Sequence, residues 1–209
     1  MAEEIEASPP RNVPLRCRCG RVQGVAHGVS PARGFRIVCY CGDCQAFARF
    51  LQRPDILDAA GGTDIFQMPP GRVKLAAGME AVRAVRLPDK GVLRWYSDCC
   101  RTPIGNTAAD PRFPLIGIVH AFMICGEGGR SRDEILGTPV CRIYERSATA
   151  SLPSDAPPPP TLGLFVRRAV KLLGWWICGL GRSSPLFDGN SKAPLATPRV
   201  LTPGERAVL

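Results

Sequence analysis

Long apolar runs are missing from this sequence. The chain of 209 residues contains no stretch of about 18 consecutive apolar residues, the length that a membrane-spanning helix needs. Its first ten residues are acidic and contain two prolines, and they lack the apolar segment of a secretory signal. We therefore expect a cytoplasmic protein, in which cysteine thiols stay reduced.

Histidine is also scarce. The chain has only two histidines, His27 and His120. His120 lies in an apolar stretch, so we expect a core residue with satisfied hydrogen bonds rather than a metal ligand. No Ser-His-Asp arrangement and no pair of carboxylates stands out, which argues against ordinary hydrolase chemistry.

Glycine and proline are abundant, with 22 and 21 residues, and 45% of the chain is hydrophobic. Because both residues interrupt helices, this composition favours short strands and turns around a real core. The sequence predicts a mainly β fold with strands at 34–39, 63–67, 81–87, 91–96 and 115–122. It predicts short helices at 43–52 and 130–136.

The composition also suggests where the parts of the chain begin and end. Four consecutive prolines at 157–160 mark a stiff linker. We divide the chain into a disordered leader (1–12), a β domain (13–150), a proline-rich linker (151–161), an amphipathic helix (162–181) and an extended basic tail (182–209).

Ten cysteines are the most informative feature, because seven of them fall into three groups. In a reducing compartment, clustered cysteines indicate metal binding rather than disulfides. Zinc binds about four ligands in a tetrahedron and accepts thiolates readily. The remaining three stand alone, and we expect them to be small buried apolar residues. The groups are Cys17 and Cys19; Cys39, Cys41 and Cys44; and Cys99 and Cys100.

The number of cysteines in each group separates two kinds of site. Cys17, Cys19, Cys99 and Cys100 can close a four-ligand structural site. Cys39, Cys41 and Cys44 supply three ligands, which leaves one position for water or substrate, as in catalytic zinc sites. The alternatives are one closed structural zinc, or a zinc bound by a different partition of the seven thiols.

The order of these motifs resembles the glutathione-dependent formaldehyde-activating enzyme family, which includes centromere protein V. The resemblance covers about residues 14–125. The matching segments are Cys17-Arg18-Cys19-Gly20, Cys39-Tyr40-Cys41-Gly42-Asp43-Cys44 and Cys100-Arg101-Thr102-Pro103-Ile104.

The resemblance implies a zinc-containing β-tent (Mss4-like) domain with two zinc ions. One ion is structural, at Cys17, Cys19 and the late cysteines, and the other is labile and functional, at Cys39, Cys41 and Cys44. The implied activity is that of a carbon–sulfur lyase on a small thiol or thiol adduct, such as a glutathione conjugate. An ion at the triplet would bind the thiolate or polarise the hydroxymethyl oxygen.

The chain departs from the family pattern at three places. Ser97 and Arg101 stand where the family has a cysteine and a glycine, so Cys99 can replace the missing ligand. Which of Cys99 and Cys100 is the fourth ligand stays open. Tyr40 replaces a histidine, and residues 45–48 are more apolar than usual. The alternative function is a non-catalytic zinc scaffold.

Asp43, within the triplet motif, has two interpretations. It can act as a general base beside a zinc-bound water, or it can cap the short helix that follows. We favour the cap slightly.

The predicted helix after the linker is strongly amphipathic. At 100° per residue, its apolar residues share one face and Arg167, Arg168 and Lys171 share the opposite face. We expect the apolar face to dock on the β domain; the alternative is an anionic membrane surface bound by residues 162–180. Nucleic acid is disfavoured because few aromatic residues accompany the basic ones. The apolar set is Leu162, Phe165, Val166, Ala169, Val170, Leu173, Trp176, Ile177 and Leu180.

Overall fold

The computed structural model describes residues 9–87, 90–126, 129–181 and 183–209, and in these residues the protein is mainly β. The first eight residues of the predicted leader lie outside the described residues, and the first strand begins at Arg11. The strands are β1 (Arg11–Arg16), β2 (Gln23–Val29), β3 (Phe35–Cys39), β4 (Thr63–Met68), β5 (Val73–Ala77), β6 (Val82–Arg86), β7 (Leu93–Ser97), β8 (Thr102–Thr107), β9 (Ile116–Val119), β10 (Cys141–Ile143) and β11 (Arg199–Val200).

Four α-helices accompany the strands within the described residues. Short 3-10 turns connect several of the elements, including one at His120–Phe122 directly after β9. The helices are α1 (Gly42–Phe50), α2 (Arg132–Leu136), α3 (Leu162–Ile177) and α4 (Pro203–Ala207).

The strands form two sheets. The smaller has the order β1-β2-β5, and the larger has the order β10-β3-β4-β9-β8-β7-β6-β11. The larger sheet is antiparallel except at its two edges, where β10 and β11 pair in parallel with β3 and β6. The main core joins apolar residues of both sheets, among them Leu15 from β1, Phe66 from β4 and Trp95 from β7.

The two faces of the larger sheet pack into different apolar clusters, because successive side chains of a strand point to opposite faces. Ala84 and Trp95 belong to the main core, whereas Val85 packs with Phe47 of α1. Helix α1 therefore covers the face of the larger sheet that is turned away from the main core. This placement brings α1 over β6 and β7.

The predicted strands correspond to β3, β4, β6, β7 and β9. β9 is shorter than predicted because a 3-10 turn begins at His120. Strands β1, β2, β5, β8, β10 and β11 were not predicted. Several of them carry polar residues or glycine on one face, as in Gln23-Gly24-Val25-Ala26-His27-Gly28, which weakens their apolar pattern.

Helix α3 contacts the domain with the side that we expected to face solvent. Trp175 is 7% exposed and its ring lies 6.4 Å from that of Phe35. Lys171 donates a hydrogen bond of 2.6 Å to the carbonyl of Ala32. The expectation that the apolar face docks on the domain is wrong, because the narrow arc through Leu164, Lys171 and Trp175 makes these contacts instead.

The chain before and after α3 is also attached to the domain. In the linker, the carbonyl of Pro158 accepts a hydrogen bond of 2.9 Å from the amide of Arg142 in β10. After α3, Phe187 is buried with its ring 5.8 Å from Trp95, and Leu201 is buried against α1. The tail therefore differs from the predicted extended segment, because its few apolar residues find places in the core.

Candidate metal centres

Two groups of cysteines could each hold a metal ion. The sulfurs of Cys17, Cys19, Cys99 and Cys100 lie within 4.8 Å of one another, and so do those of Cys39, Cys41 and Cys44. We call the first the four-cysteine group and the second the cysteine triplet. All ten cysteines are free, including these seven.

The four-cysteine group forms where the turn after β1 meets the turn between β7 and β8. Its sulfur separations are 3.6 Å for Cys17–Cys19, 3.9 Å for Cys17–Cys99, 3.3 Å for Cys19–Cys99 and 3.9 Å for Cys99–Cys100. Sulfurs at 2.3 Å from a tetrahedral zinc ion are about 3.8 Å apart. These separations fit a zinc ion, and both Cys99 and Cys100 belong to the group.

Ser97 contacts the four-cysteine group through its side-chain hydroxyl. This residue is fully buried, and its hydroxyl lies 3.4 Å from the sulfur of Cys100. It also accepts a hydrogen bond of 3.2 Å from the amide of Thr102. The pKa of Cys100 is lowered to about 5: burial alone would raise it, but hydrogen bonds from Ser97 and Thr102 favour the thiolate.

The cysteine triplet lies at the end of β3 and the start of α1. Cys41 is the N-cap of α1, where its sulfur accepts a hydrogen bond of 3.4 Å from the amide of Cys44. The slightly favoured cap at Asp43 is therefore wrong, since Asp43 lies within the first turn. Cys39 and Cys44 are each 5% exposed, whereas Cys41 is partly exposed.

The three thiols of the triplet strongly influence one another. The pKa of Cys41 is lowered to about 2, because Cys39 and Cys44 donate hydrogen bonds to its sulfur. The pKa of Cys39 is raised, because its thiol donates to Cys41 and Cys44 and because it is buried. The triplet therefore favours a thiolate at Cys41, and a thiolate among converging sulfurs suits a cation.

A buried arginine lies beside each group. Arg94, whose side chain is 4% exposed, donates to the sulfur of Cys44 at 3.7 Å and lies 3.9 Å from the carboxylate of Asp43. Arg53, 10% exposed, donates to the hydroxyl of Thr102 at 3.5 Å beside the four-cysteine group. Burial lowers the pKa of Arg94, but the contact with Cys44 and the nearby Cys41 and Asp43 together more than offset this effect, so the pKa is raised.

Sequence reasoning did not find either arginine. Arg94 faces α1 because it alternates with the core residues Leu93 and Trp95, and it meets Cys44 only through the packing of α1 on β7. The residue type alone gives no signal of this contact. Arg206 of α4 was missed for the same reason; it donates to Asp43 at 2.6 Å.

Tyr40 and the histidines lie outside both groups. Tyr40 points away from Cys39 and Cys41, packs with Val38 and donates to Asp58 at 3.0 Å. Burial and this hydrogen bond raise the pKa of Tyr40 to about 12. His120 is partly buried rather than part of the core, and its ring lies 3.2 Å from the carbonyl of Asp64, so the expected hydrogen bond is present.

The three lone cysteines have different surroundings. Cys141 is buried and packs with the triplet's Cys39 and Cys44, and Cys125 packs against the main core. Cys178 is exposed at the end of α3. The expectation of burial is confirmed for Cys141, is met only in part by Cys125, which is partly buried, and is wrong for Cys178, because the apolar face of α3 is not docked.

The fold and its cysteines define a mainly β protein with two potential metal centres. Residues 10–197 match the sequence model of a family of unknown function, DUF6151, and the chain therefore belongs to this family. No curated protein matches the chain.

Proposed function

We propose that this protein is a zinc-dependent carbon–sulfur lyase that acts on a thiol adduct, in a β-tent (Mss4-like) domain. One observation carries the proposal: the triplet has three converging sulfurs, whereas the other group has four. Among the described residues, no fourth cysteine, histidine or carboxylate completes the triplet. Zinc on three thiolates supplies a Lewis acid with one free position for a thiolate or an oxygen.

The surroundings of the triplet suit an anionic substrate sulfur. Three thiolates and one divalent ion carry a net charge of about −1, which a further thiolate makes more negative. Arg94 is buried beside Cys44 and offsets part of this charge. Its Nε atom is buried without a hydrogen-bond partner, so the guanidinium keeps one donor for a further acceptor. Cys41, the partly exposed member, marks the side from which a substrate approaches.

The proposed reaction is the reversible addition of a thiol to formaldehyde. In the forward direction the thiol loses its proton, a carbon–sulfur bond forms, and the carbonyl oxygen gains a proton to give the hydroxymethyl group. Asp43 is the proposed proton acceptor, since it lies between Cys41 and Cys44 in the first turn of α1. Its contacts with Arg94 and Arg206 fix the orientation of its carboxylate.

The test is a direct assay on zinc-loaded full-length protein. Glutathione and ¹³C-formaldehyde are mixed, and exchange between free formaldehyde and S-hydroxymethylglutathione is followed by NMR. We expect acceleration over the uncatalysed exchange, and its loss in Cys41→Ser. Cys178→Ser is the matched control, because Cys178 is exposed and outside both groups. Equal acceleration by wild type and Cys41→Ser would contradict the proposal.

The second candidate is a non-catalytic zinc scaffold that recruits a partner or a membrane through α3. The exposed apolar face of α3 favours it. For either function we propose a cytoplasmic location, supported by ten free cysteines, with peripheral attachment to membranes as an addition. Absence of exchange activity in protein that retains zinc at the triplet would favour the scaffold.

A further inference from the structure

Helix α3 presents an apolar surface that the rest of the described chain does not cover. Its outward residues are between 56% and 80% exposed, and their spacing places them on one face of this 16-residue helix. We call this surface the α3 apolar face. It consists of Leu162, Val166, Val170, Leu173, Trp176 and Ile177.

The opposite side of α3 is anchored, so rotation of the helix does not bury this face. Trp175 is buried against Phe35, and the ammonium group of Lys171 lies 4.5 Å above the same ring. Leu164 packs against the apolar cluster that contains Cys39 and Cys44. The fold therefore holds the α3 apolar face outward on a fixed element.

Basic residues surround the anchored side of α3. The helix contains Arg167, Arg168 and Lys171 and no acidic residue. The charge of Lys171 is repelled by those of Arg167 and Arg72. The charge of Arg72 is in turn repelled by that of Arg33. An apolar face beside clustered positive charge is typical of helices that lie in the interface of an anionic bilayer.

We propose that the α3 apolar face inserts into the interfacial region of an anionic lipid bilayer, with the exposed side chain of Arg167 reaching the headgroups from the flank of the helix. Within the described residues, no helix is long and apolar enough to cross a membrane. The helix would therefore lie along the surface. Trp176 suits this position, because indole rings prefer the boundary between headgroups and acyl chains.

Charge favours a bilayer over a second copy of the chain. A two-fold contact between two such faces brings the group of basic residues around one helix closer to that of the other copy, and the two groups repel. An anionic surface attracts the same group instead. The inference rests on the membrane attachment proposed for α3 and specifies its lipid chemistry, and it is independent of the lyase proposal, since it uses no property of the cysteine triplet.

Flotation with lipid vesicles tests the proposal on the full-length protein. Vesicles of phosphatidylcholine alone are compared with vesicles containing about 30% phosphatidylserine, at low and high salt. We expect binding to the anionic vesicles that weakens with salt. The variant Val166→Gln/Val170→Gln/Leu173→Gln should lose at least about tenfold of the vesicle binding while it keeps its helix, since glutamine has good helix propensity.

Two controls make the result specific. Val208→Gln changes an exposed side chain beside α4, at the edge of the larger sheet that lies away from α3, and should float like the wild type. Trp176 is the exposed member of the three tryptophans, so a blue shift of tryptophan fluorescence on binding should disappear in Trp176→Phe, which should still float.

Three results would overturn the proposal. They are absence of flotation with anionic vesicles, equal flotation of the wild type and the triple variant, and a dimer in light scattering that the triple variant abolishes while neither protein floats. Zinc content and exchange activity should be the same in the triple variant and the wild type, so failure here is distinguishable from failure of the lyase proposal.

Discussion

The guanidinium of Arg206 donates a hydrogen bond of 2.6 Å to the carboxylate of Asp43, although 163 residues separate the two in the sequence. Asp43 lies between Cys41 and Cys44, and Arg206 belongs to α4. Leu201, just before α4, is buried against α1 and β6. The last part of the chain therefore forms part of the surroundings of the cysteine triplet.

This ion pair should contribute a small but measurable stabilisation. The two side chains are 42% and 28% exposed, so solvent screens their attraction. We expect a coupling energy of about 0.5 kcal/mol. A double-mutant cycle of Arg206→Ala and Asp43→Ala, followed by urea unfolding, measures it. Additive effects of the two substitutions would contradict the contact.

Replacement of Arg94 should weaken metal binding at the triplet specifically. Arg94→Met removes a buried positive charge beside Cys44, and such changes next to metal ligands typically cost about 10–100-fold in affinity. We expect faster loss of one zinc equivalent to a chelator. Arg53→Met is the matched control, because Arg53 lies beside the four-cysteine group and should leave the triplet unchanged. Identical release from wild type and Arg94→Met would refute this role.

The buried pair of Arg36 and Asp64 should be important for stability. Arg36 donates to Asp64 at 2.8 Å, and the two side chains are 7% and 14% exposed. Asp64→Asn leaves the buried guanidinium with Asp133, which is 59% exposed, as its remaining charged partner. We expect a loss of about 3 kcal/mol in the free energy of unfolding.

Asp110→Asn provides the control for this change. Asp110 pairs with Arg112 on the surface, and a substitution there should change stability by less than about 0.5 kcal/mol. Equal effects of the two substitutions would show that burial of the Arg36 pair does not matter.

The free energy of unfolding should decrease as the pH is lowered, and His120 should account for part of the decrease. Burial lowers the pKa of His120 in the folded protein, and nearby Arg132 lowers it further. The unfolded chain takes up this proton below a pH of about 6.5. The contribution of neutral His120 is therefore fully present above that pH and is lost as the pH falls toward the folded pKa.

Comparison with His120→Gln isolates this effect. Glutamine can keep the hydrogen bond to the carbonyl of Asp64 but does not titrate. As the pH falls from about 7.5 to about 5.5, the free energy of unfolding should decrease more in the wild type than in the variant. Proton uptake by the cysteines is common to both proteins and cancels. Parallel pH profiles would contradict the burial of a neutral His120.

The cysteine groups could be predicted because their geometry is largely local. Cys41 and Cys44 are three residues apart across a helix N-terminus, and Cys99 and Cys100 are adjacent, so their spacing limits where the sulfurs can lie. The division of the seven clustered cysteines into a group of four and a group of three was predicted from the number of cysteines in each motif. The contacts of Arg94 and Arg206 could not be predicted, because they depend on how α1 and α4 pack.

Helix α3 shows a different limit of sequence reasoning. Periodicity correctly identified which residues share its apolar face, but not what that face contacts. A hydrophobic face predicts burial only when a complementary surface is available. Here Phe35 and the carbonyl of Ala32 bind the opposite arc through Trp175 and Lys171, and the larger apolar face stays outward.

Metal analysis of the purified protein tests the central claim most directly. The account predicts about two zinc equivalents in the wild type, and a loss of about one in Cys41→Ser and of the other in Cys19→Ser. Cys178→Ser should retain both, since Cys178 lies outside the two groups. A Cys41→Ser protein with the same zinc content as the wild type would contradict a separate ion at Cys39, Cys41 and Cys44.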